Sequence, residues 1–315
     1  MMIFIDAIQG ILVIVVLVLL GYWLAYLKWF GEREFNLFSK LVINIALPCY
    51  MVYNFASDFE LKGLLTAKQG VLVPFISILF AYFLAFGLGK IARVPEKRAG
   101  LFRVTFAMSN TIFVGLPLTQ VLLGEEALPY VLLYYFGNTT LFWTLGVWGI
   151  ISDATTERLP FWNIDLLKRV LNPPLIAFFI GVGAMFFELK LPEFALKSLK
   201  MVGGLTTPLA LFCVGMNIRF MGFRRIIFDS NSALALLGRF LFTPLITWLV
   251  SIVLGIPELM KDVFVVVAAM PVMMQSSVVA RFYEADFEYA TSMVAYSTLL
   301  SIIIAPLMRI IIAYW

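Results

Sequence analysis

Apolar residues in this chain are gathered into long runs with few charges, and the polar residues collect between them. A helix needs roughly 17–25 apolar residues to cross a hydrocarbon core about 30 Å thick. Runs of that size, bounded by Lys, Arg, Asp, Glu, Gly or Pro, fall at 5–27, 37–56, 69–90, 100–123, 127–151, 170–187, 197–218, 232–255, 262–281 and 289–313. The pattern predicts an all-α polytopic membrane protein with ten transmembrane helices. The second run is interrupted by Lys40 and the seventh by Lys197 and Lys200, so these are the least apolar.

Composition places the solvent. Of 315 residues, 62% are hydrophobic and 13% charged, and mean hydropathy is +0.98. A soluble domain is nearer half apolar and a quarter charged. The length therefore implies one integral membrane unit in a lipid bilayer, not two soluble domains. The first apolar run has no basic leader and no A-x-A site before it, which predicts a retained helix and not a cleaved signal peptide.

Charge sets orientation. Lys28, Arg33, Lys40, Lys90, Arg93, Lys97, Arg98, Arg103, Arg158, Lys168, Arg169, Arg219, Arg224, Arg225 and Arg281 fall on one side of the predicted bundle. Lys62, Lys68, Lys190, Lys197, Lys200, Lys261 and Arg309 fall on the other, a bias of 15 to 7. The positive-inside rule makes the rich side cytoplasmic and puts both termini outside. The formal charge of +4 is not concentrated in a block, so nucleic acid is not an expected partner.

The sixth run then enters from the side opposite to the first, the layout of a 5+5 inverted repeat. The predicted boundaries are 1–151 for the first repeat, 152–168 for a cytoplasmic linker and 169–315 for the second. Echoes recur in order: "LPCYMV" and "TPLALF", "FGLGK" and "IVLGI", "SNTIFVGLP" and "AAMPVMMQSS".

Polar residues inside the runs carry the candidate chemistry. Ser109, Asn110 and Thr111 precede Gly115 and Pro117 in the fourth run, and Pro271 precedes Gln275, Ser276 and Ser277 in the ninth. Proline removes one donor and frees the carbonyl four residues earlier, here Phe113 and Val267. At membrane depth such groups are tolerated only where protein or a water-filled cavity satisfies them. Two interrupted helices at matching places in the two halves point to a transporter's midplane site. Taken alone, Pro117 is as readily an ordinary kink, and Asn110 can glue helices together. Asn138, Thr139 and Thr140 lie inside the fifth run; Asn44 precedes Pro48 in the second, and Thr206 and Thr207 precede Pro208 in the seventh. Arg239 is the one charge well inside a run, and it either faces a cavity, where it attracts a carboxylate, or snorkels to the interface. Trp143 and Trp148 are read as packing and interface anchors.

Other function classes lose ground. Cys49 and Cys213 lie in apolar runs and histidine is absent, so neither a disulfide framework nor a zinc cluster is expected, and no cofactor. No nucleophile–base pair, G-x-G-x-x-G or P-loop appears, so an enzyme is not expected. Charged pore rings are missing as well, which argues against a channel. A receptor that binds a metabolite without moving it would need a soluble part to pass the signal on.

"LVINIALPCYMVYNF", "SNTIFVGLPLTQVLLG", "NPPLIAFFIGVG", "TTPLALFCVGMNI" and "AAMPVMMQSSVVARFY" resemble the signature segments of the auxin efflux carrier family, which includes plant PIN carriers and bacterial permeases of the malate-permease type. The resemblance runs the length of the chain, with 109–118 its most specific piece. It implies that helices 4 and 9 are broken and cross at their prolines, and that an organic anion binds beside the crossing. It further implies an elevator motion of a transport domain against a scaffold, and a homodimer. Asn110 matches the family's fourth-helix asparagine, Pro117 and Pro271 its crossover prolines, and Asn138 a polar position in its fifth helix. Gln275 is the amide nearest the ninth-helix asparagine of plant members. With only a short linker at 152–168, the chain resembles the compact bacterial members of an inner membrane.

The expected function is secondary transport of a small carboxylate. Asp6, Glu125, Glu126, Asp262 and Asp286 lie near run ends, so obligatory proton exchange is not expected. Sodium, held by neutral oxygens, is the alternative coupling ion.

Overall fold

A computed structural model describes residues 2–57, 68–154, 172–187, 189, 191–221 and 228–313. The linker beyond Ala154, and Lys62, Arg158, Lys168, Arg169, Lys190, Arg224 and Arg225 of the charge tally, lie outside the described residues. Within them the chain is helical, and four helices (Glu32–Ala56, Gln69–Ile91, Glu193–Phe220 and Ser230–Val253) are long and apolar enough to cross a membrane.

In chain order the helices are α1 (Met2–Tyr26), α2 (Glu32–Leu41), α3 (Leu47–Ser57), α4 (Leu72–Ile91), α5 (Ala99–Ala107), α6 (Leu116–Leu123), α7 (Leu128–Leu141) and α8 (Val147–Ala154). The second half holds α9 (Pro173–Phe186), α10 (Glu193–Gly203), α11 (Thr206–Met221), α12 (Ser230–Leu237), α13 (Thr243–Val253), α14 (Glu258–Ala268), α15 (Gln275–Phe282) and α16 (Phe287–Ala313). The second, fifth and eighth predicted runs are each two α-helices joined through a wide π-helical turn: Val42–Ala46, Phe142–Gly146 and Gly238–Phe242. Such turns insert a residue without ending the helix, which hydropathy alone does not register. The seventh run is divided at Gly204–Leu205.

The chain forms two compact units, each built from both halves of the sequence. The first contains 1–68, 112–133 and 171–220. Here α9 and α10 pack on α3, and α1 packs on α6. Helices α1 and α11 touch backbone to backbone: a Cβ on Gly215 would sit 2.0 Å from the Val18 carbonyl oxygen. Small residues permit this approach, a route to helix association that does not need a hydrophobic gradient.

The second unit contains 69–111, 134–170 and 221–315. Helix α5 is its hub, packed on α4, α8 and α12. Gly100 and Gly149 bring α5 and α8 into contact, since a Cβ on Gly100 would lie 2.0 Å from the Gly149 carbonyl oxygen. Beside them Asp153 accepts from the N–H groups of Gly100 (2.7 Å) and Leu101 (2.8 Å), satisfying two donors at the start of α5. Arg98 donates to Asp229 (2.6 Å) and Asp286 (2.8 Å). Asp229 caps α12 through Ser232 N–H, and Asp286 accepts from Tyr289 N–H at the start of α16, so one guanidinium joins three helix starts.

Candidate functional site

The fourth and ninth runs are each interrupted within the second unit, the fourth at 108–110 and not at Pro117, and each gap has a definite geometry. Helix α5 ends at Ala107, Met108 is extended (φ −111°, ψ 127°), and helical structure resumes at Thr111. Helix α14 ends at Ala268 and α15 begins at Gln275. The two gaps pair with each other: Ser109 and Val272 form an isolated antiparallel bridge. Asn110 N–H donates to the Pro271 carbonyl at 2.7 Å, and Met273 N–H reaches the Met108 carbonyl at 3.4 Å. Each broken helix thus finds in the other the partners that hydrocarbon cannot supply.

Side chains complete the accounting. From α7, Asn138 accepts from Ser109 N–H (3.2 Å) and donates to the Ser109 carbonyl (2.9 Å), bracketing one residue's backbone with one side-chain amide. Val272 N–H donates to the hydroxyl oxygen of Ser297 on α16 at 3.0 Å. The Phe106 carbonyl, near the end of α5, accepts from the Thr243 hydroxyl at 3.0 Å. Thr243 directly precedes Pro244, the same Thr-Pro pairing as Thr207 and Pro208, and this was the signal that could have found it; Ser297 has no proline beside it in its apolar run.

Arg239 sits in the π-helical turn between α12 and α13 and is fully buried, with no exposed surface. Its Nη2 donates to the Ala268 carbonyl, the last residue of α14. A cation at a helix C-terminus is favoured by the peptide dipoles. Its Nε and Nη1 have no hydrogen-bond partner, and no carboxylate pairs with it among the described residues. Arg239 is thus enclosed by protein, with no exposed surface.

The remaining predicted residues divide between the two units. Asn110, Thr111, Asn138, Arg239, Pro271, Gln275 and Ser276 belong to the unit that holds the crossing; Asn44, Pro48, Gly115, Pro117, Thr207 and Pro208 belong to the other. Pro117 directly follows the π-helical turn Thr111–Gly115, inside the helical stretch 111–123, and the gap in this run is upstream at 108–110. Pro271 lies within its gap, and the Val267 carbonyl accepts from Met270 N–H at 3.2 Å. The hydroxyls of Ser276 and Ser277 donate to the carbonyls of Met273 (2.7 Å) and Met274 (2.9 Å), so their protons are committed locally. By contrast Ser109 Oγ, Thr111 Oγ1 and Gln275 Oε1 are buried without a hydrogen-bond partner among the described residues. Thr207 donates to Gln120 (3.0 Å), and Asn44 is exposed. Pro208 lies in the first turn of α11, where a missing N–H costs little, and Pro48 follows directly on the π-helical turn Val42–Ala46.

Two interrupted helices are thus paired through their backbones, with a buried cation at the end of one of them. The family described as membrane transport protein matches residues 6–309. The chain belongs to this family. An uncharacterized transporter of Methanothermobacter thermautotrophicus is 30% identical over 99% of this chain and 100% of its own length. Another, from Methanocaldococcus jannaschii, is 26% identical over 94% of this chain and 96% of its own length. A rice protein, named as a probable auxin efflux carrier component, is 29% identical over 50% of this chain and 43% of its own length. The resemblance read from the motifs is therefore that of a membrane transport protein of the auxin efflux carrier group, and its relatives are transporters, not enzymes.

Proposed function

We propose that this membrane transport protein is a secondary transporter that carries a small organic anion, a carboxylate, through the crossing of its fourth and ninth spans. Arg239 carries this reading. It is a buried guanidinium with two uncommitted nitrogens, and its charge is met by no carboxylate among the described residues. A bare buried charge costs several kcal/mol, and an anionic ligand is the partner that would offset it. Transport follows an elevator-type alternating access, supported by the division of the chain into two compact units that each draw on both halves. Ten spans in a 5+5 inverted repeat, a homodimeric assembly, and a bacterial plasma membrane with both termini outside complete the reading. The name of the rice relative, a probable auxin efflux carrier component, makes an aromatic carboxylate a natural candidate beside a dicarboxylate.

Sodium coupling is the second reading, favoured by the unpartnered neutral oxygens of Ser109, Thr111 and Gln275 in the same unit. Proteoliposome uptake of labelled malate and of an aromatic carboxylate, at a potassium-set voltage with and without sodium, tests both. Loss of a charged hydrogen bond of about 1.5–3 kcal/mol predicts a roughly 10- to 150-fold drop in uptake for Arg239→Gln. Arg239→Lys should retain part of it. Saturable uptake that Arg239→Gln and Asn110→Ala leave intact would move the site away from the crossing. A strict sodium requirement would select the second reading.

A further inference from the structure

At the charge-rich end of the second unit, the end of α4 and the start of α5 enclose a recess of about 330 Å³. Ala85, Gly89 and Phe102 supply apolar walls, while Lys90, Arg93 and Arg103 supply cations against the single carboxylate of Glu96. None of these cations is ion-paired within 4 Å among the described residues. Lys90 lies over the Phe86 ring at 4.3 Å, and the Arg103 guanidinium lies between Tyr82 (5.3 Å) and Phe86 (5.6 Å). Aromatic faces thereby hold both charged heads at the recess. Arg93 adopts the left-handed conformation (φ 54°), and Val94 N–H closes on the Gly89 carbonyl at 2.9 Å, which turns the chain sharply at this point.

A second feature leads into the recess. Leu72, Ile76, Phe80, Phe83 and Phe86 are all exposed large hydrophobics, spaced four, four, three and three residues apart. That spacing lines one face of α4. The stripe is about 21 Å long at 1.5 Å per residue, comparable with an acyl chain layer, and ends at the cations.

We propose that this recess binds the phosphate of an anionic phospholipid, with the acyl chains lying along the α4 stripe. A cationic pocket at the foot of an apolar, outward-facing helix is complementary to such a molecule at both ends. A free phosphate shares the headgroup chemistry but makes no use of the stripe. The assignment concerns this end of α4 alone and does not depend on which anion is transported.

The test is native mass spectrometry of the full chain released from mixed phosphatidylcholine and phosphatidylglycerol micelles, for wild type, Lys90→Gln and Arg93→Gln. Lys97→Gln, an exposed cation off the recess, is the control for net charge. Wild type should retain phosphatidylglycerol in preference to phosphatidylcholine. Each neutralisation in the recess should cut that preference about fivefold, and the control should not. Equal retention across all variants overturns the proposal. Displacement of the lipid by millimolar inorganic phosphate, with direct phosphate adducts that depend on Lys90 and Arg93, overturns the lipid assignment in favour of a soluble phosphate.

Discussion

Asp153 shows what one residue can settle that hydropathy does not. It lies beyond the predicted end of the fifth span, yet it is largely buried and pinned between α8 and α5. Burial pushes its carboxyl up to about 6, although the N–H groups of Gly100 and Leu101 and the charge of Arg103 pull the other way. A carboxyl whose value is raised on folding stabilises most below its unfolded value, near 4, and that contribution is lost as pH rises through about 6. Melting temperature in detergent should therefore fall between pH 4 and 6 in wild type, and the slope should flatten in Asp153→Asn. The same variant checks the absence of proton coupling: if uptake follows a step near pH 6 that Asp153→Asn removes, a titrating group serves the cycle after all. Asn138 makes a contrasting case. Asn138→Leu strands the N–H of Ser109 in a buried site, while the Ser109 carbonyl keeps the Thr111 N–H at 3.0 Å; the cost of about 1–3 kcal/mol should lower thermal stability even without substrate.

Among the elements, the legible ones were those that the bilayer dictates. Charge-poor runs long enough to span marked out helices, and Asn110, Asn138 and Pro271 stood out because polar groups in hydrocarbon require a reason. Other features depend on residues far apart in sequence. The Asp153 cap joins positions 100 and 153, and Arg98 joins 229 and 286, with no local pattern to announce either. Pro117 did not mark the position of the gap at 108–110, because the π-helical turn Thr111–Gly115 carries the helix past the proline without ending it. The α5–α8 contact yields a prediction of its own. Gly100→Val must push α5 from α8 and disturb the Asp153 bonds; overpacking of this kind costs about 1–3 kcal/mol or more, read as a lower melting temperature. Gly87→Ala, with open space around its Cβ position, should be tolerated. Arg98→Ala leaves two carboxylates without their shared cation. The Asp229 carboxyl is held low because Ser232 and Arg98 outweigh the opposing effect of burial. Its stabilising contribution is present above the unfolded value near 4 and lost as pH falls below that. The destabilisation by Arg98→Ala should accordingly be greatest near neutral pH and shrink in acid.

For the molecule as a whole, the pairing of the two gaps has a consequence in time. Asn110 and Pro271 lie about 160 residues apart, and synthesis at about 5–20 residues per second separates their appearance by about 8–32 s. Throughout that interval the first half sits in the membrane with its broken helix lacking the strand-like partner it will later have. Asn138, only 29 residues beyond Ser109, arrives early enough to shelter the Ser109 peptide while the rest is made. The order of the chain thus makes the Asn138 amide available to Ser109 well before Pro271 exists.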